Sequence, residues 1–178
     1  MREAVTPKRV RRQPGQVVRV DLGQGLRSVA LVLEEPLVAF YDRLFRSDDE
    51  ISLEQIENLP VAFTIMVMNQ AITKGVWPVI GRIDIPPALK AKPRFCKRDG
   101  MTGKVSVYQE IPELAPHFER PSTKEECERL EAAAVWEAEH VEDRLRDHFA
   151  GKPNKWVEQL RAGRSGYARV LTTLIDKF

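Results

Sequence analysis

The chain has 178 residues, 28 Lys and Arg against 26 Asp and Glu, and a hydrophobic fraction of 43%. That length and composition predict one folded domain with an appendage and argue against wholesale disorder. No apolar run approaches the ~20 residues of a transmembrane helix, and the polar, basic N-terminus does not resemble a secretory signal. Two cysteines, Cys96 and Cys127, are too few for a disulfide framework, so we expect ordinary thiols in a reducing compartment.

The first two thirds of the chain predict short β-strands separated by turn signals. We expect strands at residues 16–22, 28–33, 37–41, 61–68, 77–85 and 104–108, and a short helix between Ser52 and Pro60. Gly23-Gln24-Gly25 is typical of a hairpin connection, and Gly81 would permit a bulge or a close backbone approach. Six short strands favour a small antiparallel, barrel-like sheet.

The pattern becomes helical after Pro121. A capping box at 122–125 begins an apolar stripe that runs at helical spacing to Phe149, where Gly151 ends it. Pro153 then begins a second helix that bears Trp156, and residues 167–178 give a third. The fold class expected is therefore α+β: a barrel-like β domain followed by a C-terminal helical segment.

Motifs for catalysis, metals and cofactors are weak. Cys96 with His117 is the one conceivable nucleophile pair, and Glu137-x-x-His140 is only half of a di-iron motif. Gly23-x-Gly25 lacks the third glycine and the lysine of a phosphate loop. We therefore expect no catalytic residues, no metal and no cofactor.

Two charged segments point to different partners. A basic arm at residues 8–12 and a basic loop at 90–104 with Phe95 interleaved suit nucleic acid, which is the alternative function.

The predicted helix from 125 to 147 is acidic, and Trp136 falls among its carboxylates. The candidate partner-binding residues are Trp136, Glu137, Glu139 and Asp143, and their partner should be basic. The competing interpretation is that Trp136 packs beneath neighbouring helices.

Two stretches carry a family resemblance. The first reads Pro14-Gly15 and a strand, then Gly25, a second strand and Ala39-Phe40-Tyr41-Asp42; the second contains Trp77-Pro78-Val79-Ile80-Gly81. This order resembles the immunity protein 26 family of bacterial polymorphic toxin systems over residues 14–110. The family-motif residues are Phe40, Tyr41, Asp42, Trp77, Pro78 and Gly81.

The resemblance implies a non-enzymatic immunity protein that acts in the cytoplasm and neutralises a cognate, contact-dependent or polymorphic toxin by stoichiometric binding. It also suggests a division of the chain into a basic N-terminal arm (1–13), a β-rich immunity-like domain (14–111) and a helical C-terminal extension (112–178). Its partner would be the toxin protein. We expect no membrane partner, and nucleic acid is the less favoured alternative.

Overall fold

The computed structural model describes residues 10–109 and 118–161 of the chain. The strands are β1 (Gln16–Gly23), β2 (Leu26–Val32), β3 (Leu37–Tyr41), β4 (Phe45–Arg46), β5 (Val61–Val67), β6 (Val79–Arg82), β7 (Phe95–Arg98), β8 (Val105–Gln109), β9 (Phe118–Pro121), β10 (Glu131–Ala132) and β11 (Val135–Trp136). The helices are α1 (Leu53–Ile56), α2 (Gln70–Thr73), α3 (Lys124–Glu128), α4 (Ala138–Phe149) and α5 (Lys155–Arg161), with a 3₁₀ turn at Pro87–Leu89.

The strands form two sheets. The larger has the order β11-β5-β3-β2-β1-β6, with β4 paired to β2, and the smaller has the order β10-β7-β8-β9. This mixed architecture confirms the α+β class. Over the described residues neither sheet closes into a barrel, so the barrel-like form of the prediction is not confirmed.

Both faces of the large sheet are buried, because alternate residues of each strand enter two different cores. One core contains Val18, Ala30, Phe40 and Ile65 with Val141 and Leu145 of α4. The other contains Leu31, Ala39 and Tyr41 with Ile56 of α1, Phe95 of β7 and Tyr108 of β8. The large sheet is therefore a middle layer between α4 and the smaller sheet, which explains its nearly continuous apolar strands.

Most local predictions in the first 109 residues are confirmed. β1, β2, β3, β5 and β8 lie where periodicity places them, and α1 begins after Ser52. The β1–β2 hairpin turns through Gln24 and Gly25, both with positive φ, which is the geometry of a type I′ turn. In the pairing of β1 with β6, Val17 lies opposite Gly81 and Val18 lies opposite Val79, so Ile80 has no partner on β1. This extra residue is the β-bulge that Gly81 was expected to permit.

The single long helix predicted after Pro121 is wrong. Thr123, rather than Ser122, caps α3, which ends at Glu128, and residues 131–136 then form β10 and β11 before α4 begins. β10 pairs in parallel with β7, and β11 pairs in parallel with β5. Hydrogen bonds to two sheet edges therefore override the helical periodicity. The third predicted helix and His117 lie outside the described residues, and the domain boundary at residue 111 stays a prediction.

The cysteines are not free thiols. Cys96 of β7 and Cys127 of α3 form a disulfide across 31 residues of sequence, with their Cα atoms 5.1 Å apart. The prediction of ordinary thiols is wrong because folding brings α3 against the small sheet, where the two side chains meet. The bond holds α3 to β7 at the point where the chain leaves the small sheet.

We predict that the disulfide stabilises the fold. Closing a loop of this length restricts the unfolded chain and contributes about 3–4 kcal/mol to the free energy of unfolding. Guanidinium unfolding of the oxidised protein should show a midpoint that falls on addition of dithiothreitol. The C96S/C127S variant is the control, since reductant should leave its midpoint unchanged. Equal midpoints for oxidised and reduced wild-type protein would contradict the prediction.

Candidate functional site

Two motif residues meet beneath α4. The rings of Phe40 on β3 and Trp77 before β6 contact edge to face, with centroids 5.6 Å apart. Both side chains are completely buried, and the Trp77 indole donates a hydrogen bond of 3.0 Å to Oε1 of Glu142 on α4. An indole N–H that is buried needs such an acceptor, so Glu142 makes it possible for Trp77 to enter the core.

A second polar contact joins α4 to the motif. Asp42 lies at the end of β3, and its Oδ1 is 2.8 Å from Nε2 of His148 near the end of α4. The rings of His148 and Phe63 of β5 also form a T-shaped pair, with centroids 6.3 Å apart. We call the pairs Trp77–Glu142 and Asp42–His148 the α4 contact pairs, because they fix one helix to both motif stretches.

The remaining motif residues are explained by packing. Tyr41 points into the opposite core, where burial raises its pKa to about 12, assisted by the charge of Glu57. Its hydroxyl has no hydrogen-bond partner among the described residues. At Gly81 a Cβ would lie 2.6 Å from Cδ1 of Leu53, so glycine leaves room for α1. The Pro78 carbonyl accepts a hydrogen bond of 3.0 Å from the amide of Arg19.

The structure places Trp136 in the core rather than on an acidic surface. It lies on β11 with 4% of its surface exposed, because the helix that would have carried it outward is interrupted there. Arg144 of α4 lies above its ring at 5.1 Å and above Phe63 at 3.9 Å, while both guanidinium NH groups bind Glu131. Trp136 is therefore a core residue, and the interpretation of it as an exposed partner anchor is wrong.

Acidic side chains on α4 are divided between internal contacts and solvent. Asp143 accepts hydrogen bonds from Arg146 and from the indole of Trp156, and these two donors lower its pKa. Glu137 and Glu139 are exposed and form no ion pair with a described residue. Of the predicted contact residues, only this pair is presented to solvent without an internal partner.

The basic segments are partly used within the fold. Phe95 is buried between the sheets, so it is not available to stack on a base. Lys92 binds Glu34, and Lys97 binds Glu119 at 3.0 Å. Arg12 donates to the Leu37 carbonyl and to Asn69, and burial lowers its pKa to about 10. The nucleic-acid alternative therefore loses its stacking residue, because Phe95 is buried. It also loses part of its positive charge, because Lys92, Lys97 and Arg12 are engaged within the fold.

One exposed element was not recognised in the sequence. The predicted basic loop contains β7 and the β7–β8 hairpin, whose tip exposes Met101 almost completely. The available signal was Asp99-Gly100 with Gly103, turn residues between two short β-type segments. None of the described helices is long and apolar enough to span a membrane, and residues 10–109 and 118–161 contain no cluster suited to a metal ion.

Comparison with known families decides the identity of the β-rich part. The family model described as Immunity protein 26 matches residues 13–106, more than half of the chain. The chain belongs to the immunity protein 26 family. The suspected resemblance is thereby confirmed with nearly the same boundaries. No curated protein and no solved structure matches the chain significantly.

The family region is completed by residues that lie outside the match. Trp77 and Asp42 are within it, whereas their partners Glu142 and His148 follow it by more than thirty residues. Cys96 is likewise inside and Cys127 outside. The C-terminal part of the chain therefore supplies structural contacts to motif residues of the family region.

We predict that Glu142 contributes more to stability than its neighbour Glu139. E142A leaves the buried indole N–H of Trp77 without an acceptor, which should lower the free energy of unfolding by about 1–3 kcal/mol. E139A is the matched control: it makes the same change on the same helix at an exposed position and should stay within about 0.5 kcal/mol. Urea unfolding measures both, and equal values would show that the indole contact has no net effect.

We predict that the Tyr41 hydroxyl is not needed for folding. Y41F removes a buried group that has no partner among the described residues, so the free energy of unfolding should stay the same or rise by about 1 kcal/mol. The absorbance of the wild-type protein near 295 nm should include a tyrosine that titrates well above pH 10 and is missing from Y41F. A loss of more than about 1 kcal/mol in Y41F would mean that the hydroxyl is paired.

Proposed function

We propose that the chain neutralises a cognate toxin protein by stoichiometric binding and without catalysis. The observation that carries this proposal is the family match over residues 13–106, since an immunity protein implies a toxin as its partner. An inhibitor of this kind requires a stable scaffold and an exposed contact surface. It does not require a reactive group.

The arrangement of layers supports a surface made of loops and element ends. Because both faces of the large sheet are covered by other elements, a partner has no open face of that sheet to occupy in the described structure. Within each of the α4 contact pairs, the two polar groups are hydrogen-bonded to each other. Side chains that project from turns and from the start of α4 are among those that remain accessible.

We retain Glu137 and Glu139 as proposed contacts for a basic part of the toxin. Both are exposed at the start of α4, and neither has an internal ion pair with a described residue. Exposed charges of this kind act mainly on the rate of association, through attraction between the free proteins. The contact is therefore expected to steer the encounter.

The function is tested by co-expression with the product of the adjacent reading frame, which the proposal expects to carry the toxin domain. Cells that produce this domain alone should stop growing, and cells that also produce the chain should grow. The purified proteins should elute together as a one-to-one complex. Growth arrest in the presence of folded chain would contradict the proposal.

The acidic contact is tested by charge reversal. E137K/E139K should slow association by roughly tenfold at low ionic strength, and the difference should shrink as salt is raised. E158K, which reverses an exposed charge on α5, is the control and should associate faster than the double variant. Identical association rates for wild type and the double variant would remove these residues from the interface.

A further inference from the structure

The β7–β8 hairpin projects from the core into solvent. At its base Phe95 pairs with Tyr108, and both side chains lie in the core between the two sheets. All six residues of the tip, 99–104, are exposed. A hairpin that is fixed at its base and free at its tip can enter a concave surface without disturbing the rest of the fold.

Hydrogen bonds hold the tip in one conformation. Oδ1 of Asp99 accepts from the amides of Met101 at 3.0 Å and Thr102 at 2.6 Å, and from the Thr102 hydroxyl at 2.9 Å. The Asp99 amide donates to the Lys104 carbonyl, and the Gly103 amide donates to the Asp99 carbonyl, both at 2.9 Å. Gly103 has φ of +69°, which favours glycine. A turn fixed before binding loses little conformational entropy when a partner engages it.

Met101 is the apolar centre of this tip. Its surface is 98% exposed, whereas the other large exposed apolar residues in the described part of the chain, Val61 and Val76, are 36% and 51% exposed. Single apolar side chains are common on protein surfaces. Met101 differs because it is almost fully exposed on a turn whose backbone is fixed. Burial in a partner would remove nearly its whole side chain from water.

Two cations flank Met101. Arg98 ends β7 and Lys104 precedes β8, and neither forms a salt bridge with a described residue. Lys97, one residue earlier, is by contrast paired with Glu119. The tip therefore combines one apolar side chain with two positive charges and one carboxylate, that of Asp99, which is engaged by the turn itself and lies near Lys104. Its net charge is +1, from Arg98 and Lys104 against Asp99. Its complement is an apolar pocket with an acidic rim.

We propose that residues 98–104 are a toxin-contact element, in which Met101 enters an apolar pocket of the toxin while Arg98 and Lys104 meet carboxylates at its rim. The inference rests on the proposed function and adds a surface and a partner chemistry to it. A protein partner is favoured over nucleic acid because the exposed centre is aliphatic and Phe95, the aromatic residue nearest to it in sequence, is buried. With Glu137 and Glu139, the chain would present opposite charges on separate elements, which fixes the orientation of the complex.

The test measures binding of the full chain to the toxin domain encoded in the adjacent reading frame. M101D should weaken the complex by roughly ten- to hundredfold, mainly through faster dissociation, with an unchanged melting temperature. V76D is the matched control, because it places the same charge at another exposed apolar position, and it should bind like wild type. R98E/K104E should slow association at low salt and less so at high salt.

Several outcomes would overturn the inference. Equal affinities for wild type and M101D would remove the tip from the interface. A wild-type dimer that M101D converts to a monomer would assign the tip to a second copy of this chain. Salt-sensitive retention of a labelled single-stranded RNA that R98E/K104E abolishes would assign it to nucleic acid. A wild-type chain that fails to bind the toxin domain would instead refute the proposed function.

Discussion

The fold depends on the backbone pairing of residues 131–136 with two sheets at once. Within this bridging segment, β10 continues the small sheet and β11 continues the large one. The Ala133 amide donates to the Cys96 carbonyl at 2.7 Å, and the Trp136 carbonyl accepts from Met68 at 2.9 Å. Because α4 begins directly after β11, this pairing sets where the helix crosses the sheet. The Cys96–Cys127 disulfide fixes the approach to the segment from the other side.

The surface left for a partner follows from this arrangement. Once α4 is in place, Glu142 and His148 reach Trp77 and Asp42, and one face of the large sheet is closed. The small sheet and α1 close the other face. The exposed side chains that we propose for binding lie in the β7–β8 tip and at the start of α4. The family motif mainly builds the scaffold, and recognition is proposed for residues around it.

Local patterns predicted the β-rich part well because its strands and turns are encoded by neighbouring residues. Alternation marked β1, an apolar run marked β5, and Gly23-Gln24-Gly25 marked the first hairpin. The segment 131–136 could not be recognised in this way, since its helical periodicity is overridden by partners at Cys96 and Met68, distant in sequence. The same error led to the interpretation of Trp136 as an exposed partner anchor. The exposed pair Glu137 and Glu139 was identified correctly as solvent-facing, whereas Met101 was overlooked because exposure depends on where the hairpin projects.

We propose that the chain inhibits by occupying the toxin in a fixed ratio. The most direct test is titration of a fixed amount of the toxin domain with purified chain at concentrations far above the dissociation constant, with residual toxin activity as the readout. Activity should fall linearly and reach its minimum at one equivalent. Complete loss of activity at a small fraction of an equivalent would indicate catalytic inactivation, and unchanged activity at several equivalents would indicate no inhibition; either result would contradict the account.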